Sequence, residues 1–421
     1  MNSERQAPSS PVPSERVRNP VGLRLRARPA AESKLRAGHP WMFSESIRTQ
    51  NRKGELGDLA AVYDRNDRFL AIGFFDPDSP IRVRVLHAGK PCLIDKQWWR
   101  VHLGQALDRR RGLFDEDTTG YRCINGESDG WPGLVLDRYD STLVVKLYTG
   151  VWFPLLKQTI DLIADRVLSE RIVLRLGRNI RRAAQNDFGL ADGQILLGRP
   201  PEGSVVFLEN GLRLRADVVR GQKTGFFLDQ RENRRIVESL ALDRDVLNAF
   251  SYTGGFSLYA ARGRARSVTD LDLSQRALEE GEANWALNKR LPAVSQCRRA
   301  AIASDVFDWL TGNSGQMFDM IILDPPSFAQ REVERAGAIR AYGRMAVSAA
   351  RHLRAHGILV AASCSAHVAD EEFFGAVRQA LRSAERKFEV LRTTHHPPDH
   401  AATYPEANYL KCIFLKLDAG R

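Results

Sequence analysis

The chain has 421 residues, which at about 100–200 residues per domain means two or three domains, each long enough to bury its own core. Apolar residues make up 43% and charged residues 27%, an ordinary globular balance, and no apolar run approaches the roughly 18–20 residues that a bilayer span needs. The 62 Lys and Arg outnumber the 51 Asp and Glu for a net charge of +11, which suits a polyanionic partner such as RNA, although arginine-rich composition alone gives the same surplus.

Residues 1–20 combine Pro, Ser, Arg and Glu with almost no large apolar side chains, so nothing offsets the entropy of ordering them and a disordered tail is expected. The same stretch lacks an apolar h-region, which argues against a secretory signal and for a cytoplasmic location. Over 21–95 short strand-like runs follow one another: VGLRLRARP, LAAVYD, FLAIGFF and IRVRVL, punctuated by Asp, Gly and Pro. Arg24, Arg26 and Arg28, and again Arg82 and Arg84, recur at period two, so each set projects from one strand face. Such a face suits phosphates, and it equally protects an edge strand from mispairing. Residues 96–205 read as a middle α+β module: a basic helix through KQWWRVHLGQALDRRRGLF, strands around a Gly/Trp/Pro turn, the helix PLLKQTIDLIADRVL and the strand RIVLRL.

The third module, 206–421, opens on a hairpin whose Asn210-Gly211 turn tolerates positive φ at both residues. Strands then alternate with helices through VLNAF, RSVTDLD, MIILD and GILVAAS, and the chain closes on FEVLRTT and YLKCIFLKL. This alternation predicts an α/β fold with a doubly wound, mostly parallel sheet, its last two strands forming an antiparallel hairpin at the edge.

Ligands of open α/β sheets bind beyond the carboxyl ends of the strands. After VLNAF comes Ser251-Tyr252-Thr253-Gly254-Gly255-Phe256, a turn into a helix where backbone can approach a ligand; it lacks G-x-G-x-x-G, which speaks against an NAD-dependent oxidoreductase. The next strand ends in Asp270-Leu271-Asp272, where such folds hydrogen-bond a ribose. Asp305 either caps the helix that follows it or faces an adenine ring, and the fourth strand ends in Asp324-Pro325-Pro326, whose prolines fix the carboxylate's direction. Taken singly, each has an ordinary structural explanation as turn, cap or strand end. The five cysteines, Cys92, Cys123, Cys297, Cys364 and Cys412, are odd in number and never spaced C-x-x-C, so neither disulfides nor a metal site are expected. His367, His395 and His396 read as surface histidines, and Trp98, Trp99 and Tyr404 as either packing or base-stacking groups.

In combination, Gln222-Lys223-Thr224-Gly225-Phe226-Phe227-Leu228-Asp229-Gln230-Arg231, NAFSYTGGFSLYAA, ILDPPSF, Ser363-Cys364-Ser365 and TYPEANYLK resemble the ribosomal RNA large-subunit methyltransferase I family. The resemblance covers about 20–421 and includes Gly38-His39-Pro40-Trp41-Met42-Phe43, which looks like the start of a PUA domain. It implies a PUA-like RNA-binding domain over 21–95, a middle domain over 96–205 and a class I methyltransferase domain over 206–421. It further implies S-adenosylmethionine as cofactor and 5-methylcytosine in 23S ribosomal RNA as product. The substrate is then free RNA or a large-subunit precursor, with no membrane partner, and a homodimer is one compatible assembly. Carried across, Phe250, Ser251, Tyr252, Thr253 and Gly254 line the methionine part of the cofactor, Asp272 holds the ribose, Asp305 the adenine, and Asp324 sits beside the target base. The segment from Lys223 through Asp229 to Arg231 lids the cofactor.

Carbon 5 of cytosine is a poor nucleophile until a thiolate adds at carbon 6, so the reaction needs one cysteine at the sheet's mouth, and Cys364 is the candidate. Cytosine-5 enzymes of other families carry a second cysteine after the Pro-Pro pair; here that residue is Ser327. This leaves open whether Asp324 removes the carbon 5 proton or binds the cytosine amino edge. Two alternatives stand beside this reading: a guanine N2 or N7 ribosomal RNA methyltransferase of the same fold, which needs no cysteine, and an inactive RNA-binding factor.

Overall fold

Strand-rich and alternating stretches segregate along the sequence, and the computed structural model, described over residues 22–312 and 315–418, divides into two compact units that meet at Asp95 and Lys96. The tail expected over 1–20 lies outside the described residues. Among the described residues no helix is long and apolar enough to cross a membrane.

The first unit is a six-stranded sheet in the spatial order Trp41–Phe43, Ile81–Ala88, Phe69–Phe75, Leu59–Tyr63, Leu23–Ala27, Ile47–Gln50. Leu23, Leu25 and Ala27 are buried while Arg24 and Arg26 point outward, the expected alternation. The edge-guard reading of these arginines fails, because Leu23–Ala27 and Ile81–Ala88 each have a neighbour on both sides. Their guanidinium groups are engaged at home: Arg24 lies 4.5 Å over the Tyr63 ring, Arg26 pairs with Asp67, and Arg82 donates to the Asp76 carbonyl at 3.0 Å. Arg28 lies outside the strand and precedes a helix, Pro29–Arg36, that strand patterning does not reveal. Pro29 starts that helix, and Ala31 and Leu35, one turn apart, dock it on the sheet.

The second unit holds two larger sheets, so 96–205, read above as a separate middle module, shares one compact unit with the rest. Five strands run in the order Ile195–Leu197, Arg171–Leu176, Thr142–Leu147, Leu134–Tyr139, Gly120–Asn125. The hairpin of Val205–Glu209 and Leu212–Ala216 turns where predicted, with φ of 49° at Asn210 and 79° at Gly211. Seven strands then form the doubly wound sheet: β1 (Asp245–Ala249), β2 (Ser267–Asp272), β3 (Arg298–Ala303), β4 (Phe318–Leu323), β5 (Leu353–Ser363), β6 (Phe388–Thr394) and β7 (Lys411–Leu417). Their order is β3-β2-β1-β4-β5-β7-β6; the first five are parallel, and β7 runs antiparallel to both β5 and β6. β3 has no apolar run because it is an edge strand with little buried surface.

Alternate residues of the central strands feed two cores. Val246, Met320, Ile322 and Val360 face one layer of helices, and Leu247, Ile321, Leu323 and Leu359 face the other. Burial on both faces is why these strands read as unbroken apolar runs, each such side chain contributing about 1.5–3 kcal/mol. The winding reverses at β1, which has β2 on one side and β4 on the other, so a crevice opens at the carboxyl ends of β1 and β4.

A buried carboxylate, Asp399, in the loop between β6 and β7, fastens the two sheets together. It accepts the Arg122 amide at 2.9 Å and the Arg231 guanidinium at 2.7 Å, while its own carbonyl accepts Arg110 at 2.7 Å. Burial opposes its charge, but His400 and Arg231 outweigh burial and hold the carboxyl well below the usual carboxylate range. Asp399→Asn removes the buried partner of Arg231, leaving it only the more exposed Glu232, and is expected to cost about 3–5 kcal/mol in a guanidinium melt. A loss under about 1 kcal/mol would show that the clamp is not needed.

Candidate active site

The crevice is built from four chain segments. The first is the turn after β1. Phe250 and Tyr252 both adopt positive φ, 59° and 49°, a conformation that costs a bulky side chain about 1–3 kcal/mol and persists only where the surroundings enforce it. Here the Tyr252 amide donates to Asp272 at 2.8 Å and the Ser251 amide to the Leu271 carbonyl at 3.1 Å. Gly255 opens the helix Gly255–Arg262; a Cβ there would lie 3.2 Å from the Phe226 ring and 3.3 Å from Arg234, a tight fit that those side chains would have to yield to.

Asp272 ends β2 half-buried, its two oxygens held by the Tyr252 and Ser274 amides. Asp270, two residues earlier, is a structural group, buried against Ser257 and Arg299. Asp305 caps the helix Val306–Gly312, its Oδ1 accepting the Phe307 amide at 2.8 Å and the Asp308 amide at 3.1 Å.

The second segment, Gln222–Arg231, forms a largely buried wall. Thr224 donates to Asp137 at 2.6 Å, the Phe226 amide donates to the Tyr139 hydroxyl at 3.2 Å, and Thr224, Phe226, Leu228, Asp229 and Gln230 are all buried. Lys223 ion-pairs with Asp229 and lies 4.6 Å over the Phe227 ring. Burial works against the Lys223 charge, but Asp229 outweighs it and raises the ammonium's pKa; conversely Lys223 overrides burial to keep Asp229 ionised. The Tyr409 hydroxyl donates to the same Asp229 oxygen at 2.8 Å.

The third and fourth segments follow β4 and β5. Asp324 accepts Gln230 at 2.8 Å, and its carboxyl is pushed up to about 7 by burial and by the charge of Asp229. Cys364 points across to the Pro325 carbonyl, Sγ to O 3.9 Å. Its thiol is pushed up to about 11 by burial, with Lys223 pulling the other way. Ser363 donates to the Tyr342 hydroxyl at 2.9 Å and Ser365 to the Ala329 carbonyl at 2.9 Å, so the serines brace the cysteine between them. Lys411, fully buried at the start of β7, donates to the Ser365 carbonyl at 2.7 Å.

Phe250 to Gly254, Asp272, Asp305, Lys223, Asp229, Asp324 and Cys364 therefore all lie on strand ends of one sheet or on the wall beside it. Gln230, Tyr409 and Lys411, given no role of their own from sequence, lie inside the segments Gln222–Arg231 and TYPEANYLK that carry the family resemblance. His396 departs from its surface reading: it is half-buried, accepts the Leu410 amide at 3.2 Å, packs edge-on to Tyr409, and burial lowers its pKa to about 4. Trp99 packs against Trp131 and Trp152 at 4.9 and 5.3 Å between ring centres. Cys123, Cys297 and Cys412 are buried.

Three buried polar atoms of the crevice have no protein partner: Asp229 Oδ1, Ser251 Oγ and Thr253 Oγ1. Six more buried side-chain atoms among the described residues also lack a hydrogen-bond partner, but these three gather on the wall and on the turn after β1, where a polar ligand would satisfy them together. One carboxylate oxygen and two hydroxyls suit an amino acid moiety carrying an ammonium and a carboxylate, and Asp272 suits a ribose. S-adenosylmethionine joins these parts in one molecule, and the residues present fit it.

A family model described as S-adenosylmethionine-dependent methyltransferase matches residues 186–415, and one described as PUA-like domain matches 25–88. The chain is 55% identical over 403 residues to a ribosomal RNA large subunit methyltransferase of Deinococcus radiodurans, covering 94% of this chain and 98% of the relative. It is 36% identical over 383 residues to ribosomal RNA large subunit methyltransferase I of Aliivibrio fischeri, covering 90% and 95%. In fold it is similar to a SAM-dependent methyltransferase from Streptococcus mutans, with a TM-score of 0.78, 22% identity and coverage of 93% and 99%. A methyltransferase solved with SAH superposes at a TM-score of 0.80, with 23% identity and coverage of 93% and 99%.

The neutral thiol makes a direct prediction. Alkylation of Cys364 by iodoacetamide in the free protein should rise about tenfold per pH unit from pH 7 to 10 without levelling, and Lys223→Met should slow it further. A plateau near pH 8 would contradict a buried, protonated cysteine.

Proposed function

This chain belongs to the ribosomal RNA large-subunit methyltransferase I family, and from that premise we propose that it moves the methyl group of S-adenosylmethionine to carbon 5 of a cytosine in 23S ribosomal RNA, in the cytoplasm. The observation that carries the cytosine reading is the placement of Cys364, after β5, against the carbonyl of Pro325, the residue that follows Asp324 at the end of the adjacent β4, close enough for the Asp324 charge to act on the thiol. A guanine nitrogen attacks a methyl group unaided, whereas cytosine carbon 5 needs the thiol.

In this reading Asp229 receives the cofactor's ammonium, Ser251 and Thr253 its carboxylate, Asp272 its ribose and Asp305 its adenine. When bound, the cofactor supplies an electrophilic methyl group on a sulfonium. The target cytosine reaches the crevice unstacked from its RNA. Asp324, with a pKa near neutrality, takes the Cys364 proton as the thiolate adds to cytosine carbon 6, and passes that proton to ring nitrogen 3. The resulting enamine carbon 5 takes up the methyl group, the new carbon–carbon bond forming as the methyl–sulfur bond breaks with its electron pair left on sulfur. Nitrogen 3 then returns its proton to Asp324, the carbon 5 proton leaves to solvent, and the carbon–sulfur bond breaks with its electron pair returning to sulfur. Gln230 keeps one Asp324 oxygen in place throughout, and the serines beside Cys364 fix its approach.

Methyl transfer from labelled S-adenosylmethionine to unmodified 23S rRNA, with the nucleoside identified by mass spectrometry, tests this. Wild type should yield 5-methylcytosine and Cys364→Ala none. Methylguanine formed equally by both would overturn the cytosine reading and favour the guanine N2 or N7 reaction. Because Asp324 must start as a carboxylate, the single-turnover rate should fall about tenfold per unit as pH drops below about 7 and flatten above it. Asp229→Asn should weaken S-adenosylhomocysteine binding about ten- to hundredfold by titration calorimetry, the worth of one charged hydrogen bond; unchanged affinity would remove Asp229 from the cofactor site.

A further inference from the structure

Lys146, on the strand Thr142–Leu147 of the five-stranded sheet, and Tyr148, just past its end, have roles that the proposed chemistry does not exhaust. Val144 lies in the core shared with the seven-stranded sheet. At period two the same strand face continues to Lys146 and then to Tyr148, leading out of that core beside the active-site wall. Lys146 Nζ donates to the Lys223 carbonyl at 2.8 Å and lies 5.4 Å from the centre of the Tyr148 ring. Tyr148 is 45% exposed, yet its hydroxyl feels the charges of Arg122, Lys223, Asp137 and Asp229. An aromatic ring this open, so close to the crevice's charged groups, stands at its rim.

The charges around it do not balance. Arg175 and Arg181 both pair with Asp192, at 3.1 and 2.8 Å, so that with Lys146 three cations face one carboxylate. Asp137, the other carboxylate acting on Lys146, is already held by Arg122 and Thr224. Burial first, and then Arg175, pull the Lys146 ammonium down to about 8, the mark of a half-buried cation short of an anion.

We propose that Lys146 and Tyr148 form an RNA subsite at the rim of the crevice, Lys146 binding a backbone phosphate next to the target nucleotide and Tyr148 stacking on a neighbouring base. This rests on the RNA substrate of the proposed function and adds to it the side chains that hold the strand while one base is turned into the crevice. An unstacked base leaves its neighbour with an open face, which an aromatic ring can cover, and an ammonium with donors to spare answers the phosphate.

The test is equilibrium binding of unmodified 23S rRNA to the full chain with S-adenosylhomocysteine present, between 50 and 200 mM salt (about the range where phosphate contacts dominate), run beside methyl transfer on the same RNA. Titration with S-adenosylhomocysteine reports that each variant is folded. Lys146→Met should weaken binding and flatten the slope of log affinity against log salt by about 0.7–0.9, the share of one phosphate contact, and Lys146→Arg should restore the slope. Tyr148→Leu should weaken binding about five- to hundredfold with the slope unchanged. A full slope in Lys146→Met would reduce Lys146 to an anchor for the Lys223 carbonyl and overturn the subsite, as would unaltered affinity in Tyr148→Leu. A wild type that binds but transfers no methyl group would defeat the reaction reading alone, leaving the slopes to decide the subsite; a wild type that does not bind this RNA would overturn both.

Discussion

One ammonium, Lys223, is shared in a buried crevice among two carboxylates and a thiol, and the ionisation of each group there follows from that imbalance. Lys223 pairs with Asp229, which therefore stays charged. Asp324, buried and repelled by Asp229 with Gln230 as its partner, is driven toward neutrality, and burial keeps the proton on Cys364 against the pull of Lys223. In the low dielectric of such a site, charges a few ångströms apart interact several times more strongly than in water. A carboxyl poised near neutral pH beside a protonated thiol is the arrangement that proton transfer between them requires.

Holding that arrangement takes both large sheets of the second unit. The parallel strands β1, β4 and β5 bring Phe250, Asp324 and Cys364 to neighbouring ends of one sheet. The five-stranded sheet supplies Asp137, Tyr139 and Lys146, which fix the wall carrying Lys223 and Asp229. Asp399, in a loop of the seven-stranded sheet, is joined to Arg122 of the five-stranded sheet and to Arg231 at the start of the helix that follows the wall, and so ties the two sheets together. The 96–205 stretch thus buttresses the wall of the candidate site, in keeping with the one compact unit it shares with the seven-stranded sheet.

Much of this was legible in the sequence, for a physical reason: parallel strands buried on both faces show as apolar runs, and the residues just after such runs are where ligands bind. Asp272, Asp324 and Cys364 were found that way, and the Asn210-Gly211 turn by its tolerance of positive φ. What was missed had no such signal. β3 is an exposed edge strand without an apolar run, and the helix Pro29–Arg36 buries only two apolar side chains, Ala31 and Leu35. The arginines near Tyr63 and Asp67 looked like an edge guard because period-two spacing says which face a side chain takes and nothing of which strands flank it. Lys146 and His396 draw their character from groups brought close only by folding, so no window of local sequence could reveal them.

The nucleophilic role of Cys364 is the central claim, and trapping its adduct tests it most directly. In 23S rRNA transcribed with 5-fluorocytidine, carbon 5 has no proton to lose after methyl transfer, so the carbon–sulfur bond cannot break. Incubated with S-adenosylmethionine, denatured and digested, the protein should yield a Cys364 peptide bearing a methylated fluorocytidine nucleotide, and Cys364→Ala should yield no adduct. An adduct on Cys92, Cys123, Cys297 or Cys412, or none at all while ordinary 23S rRNA is methylated under the same conditions, would contradict the account.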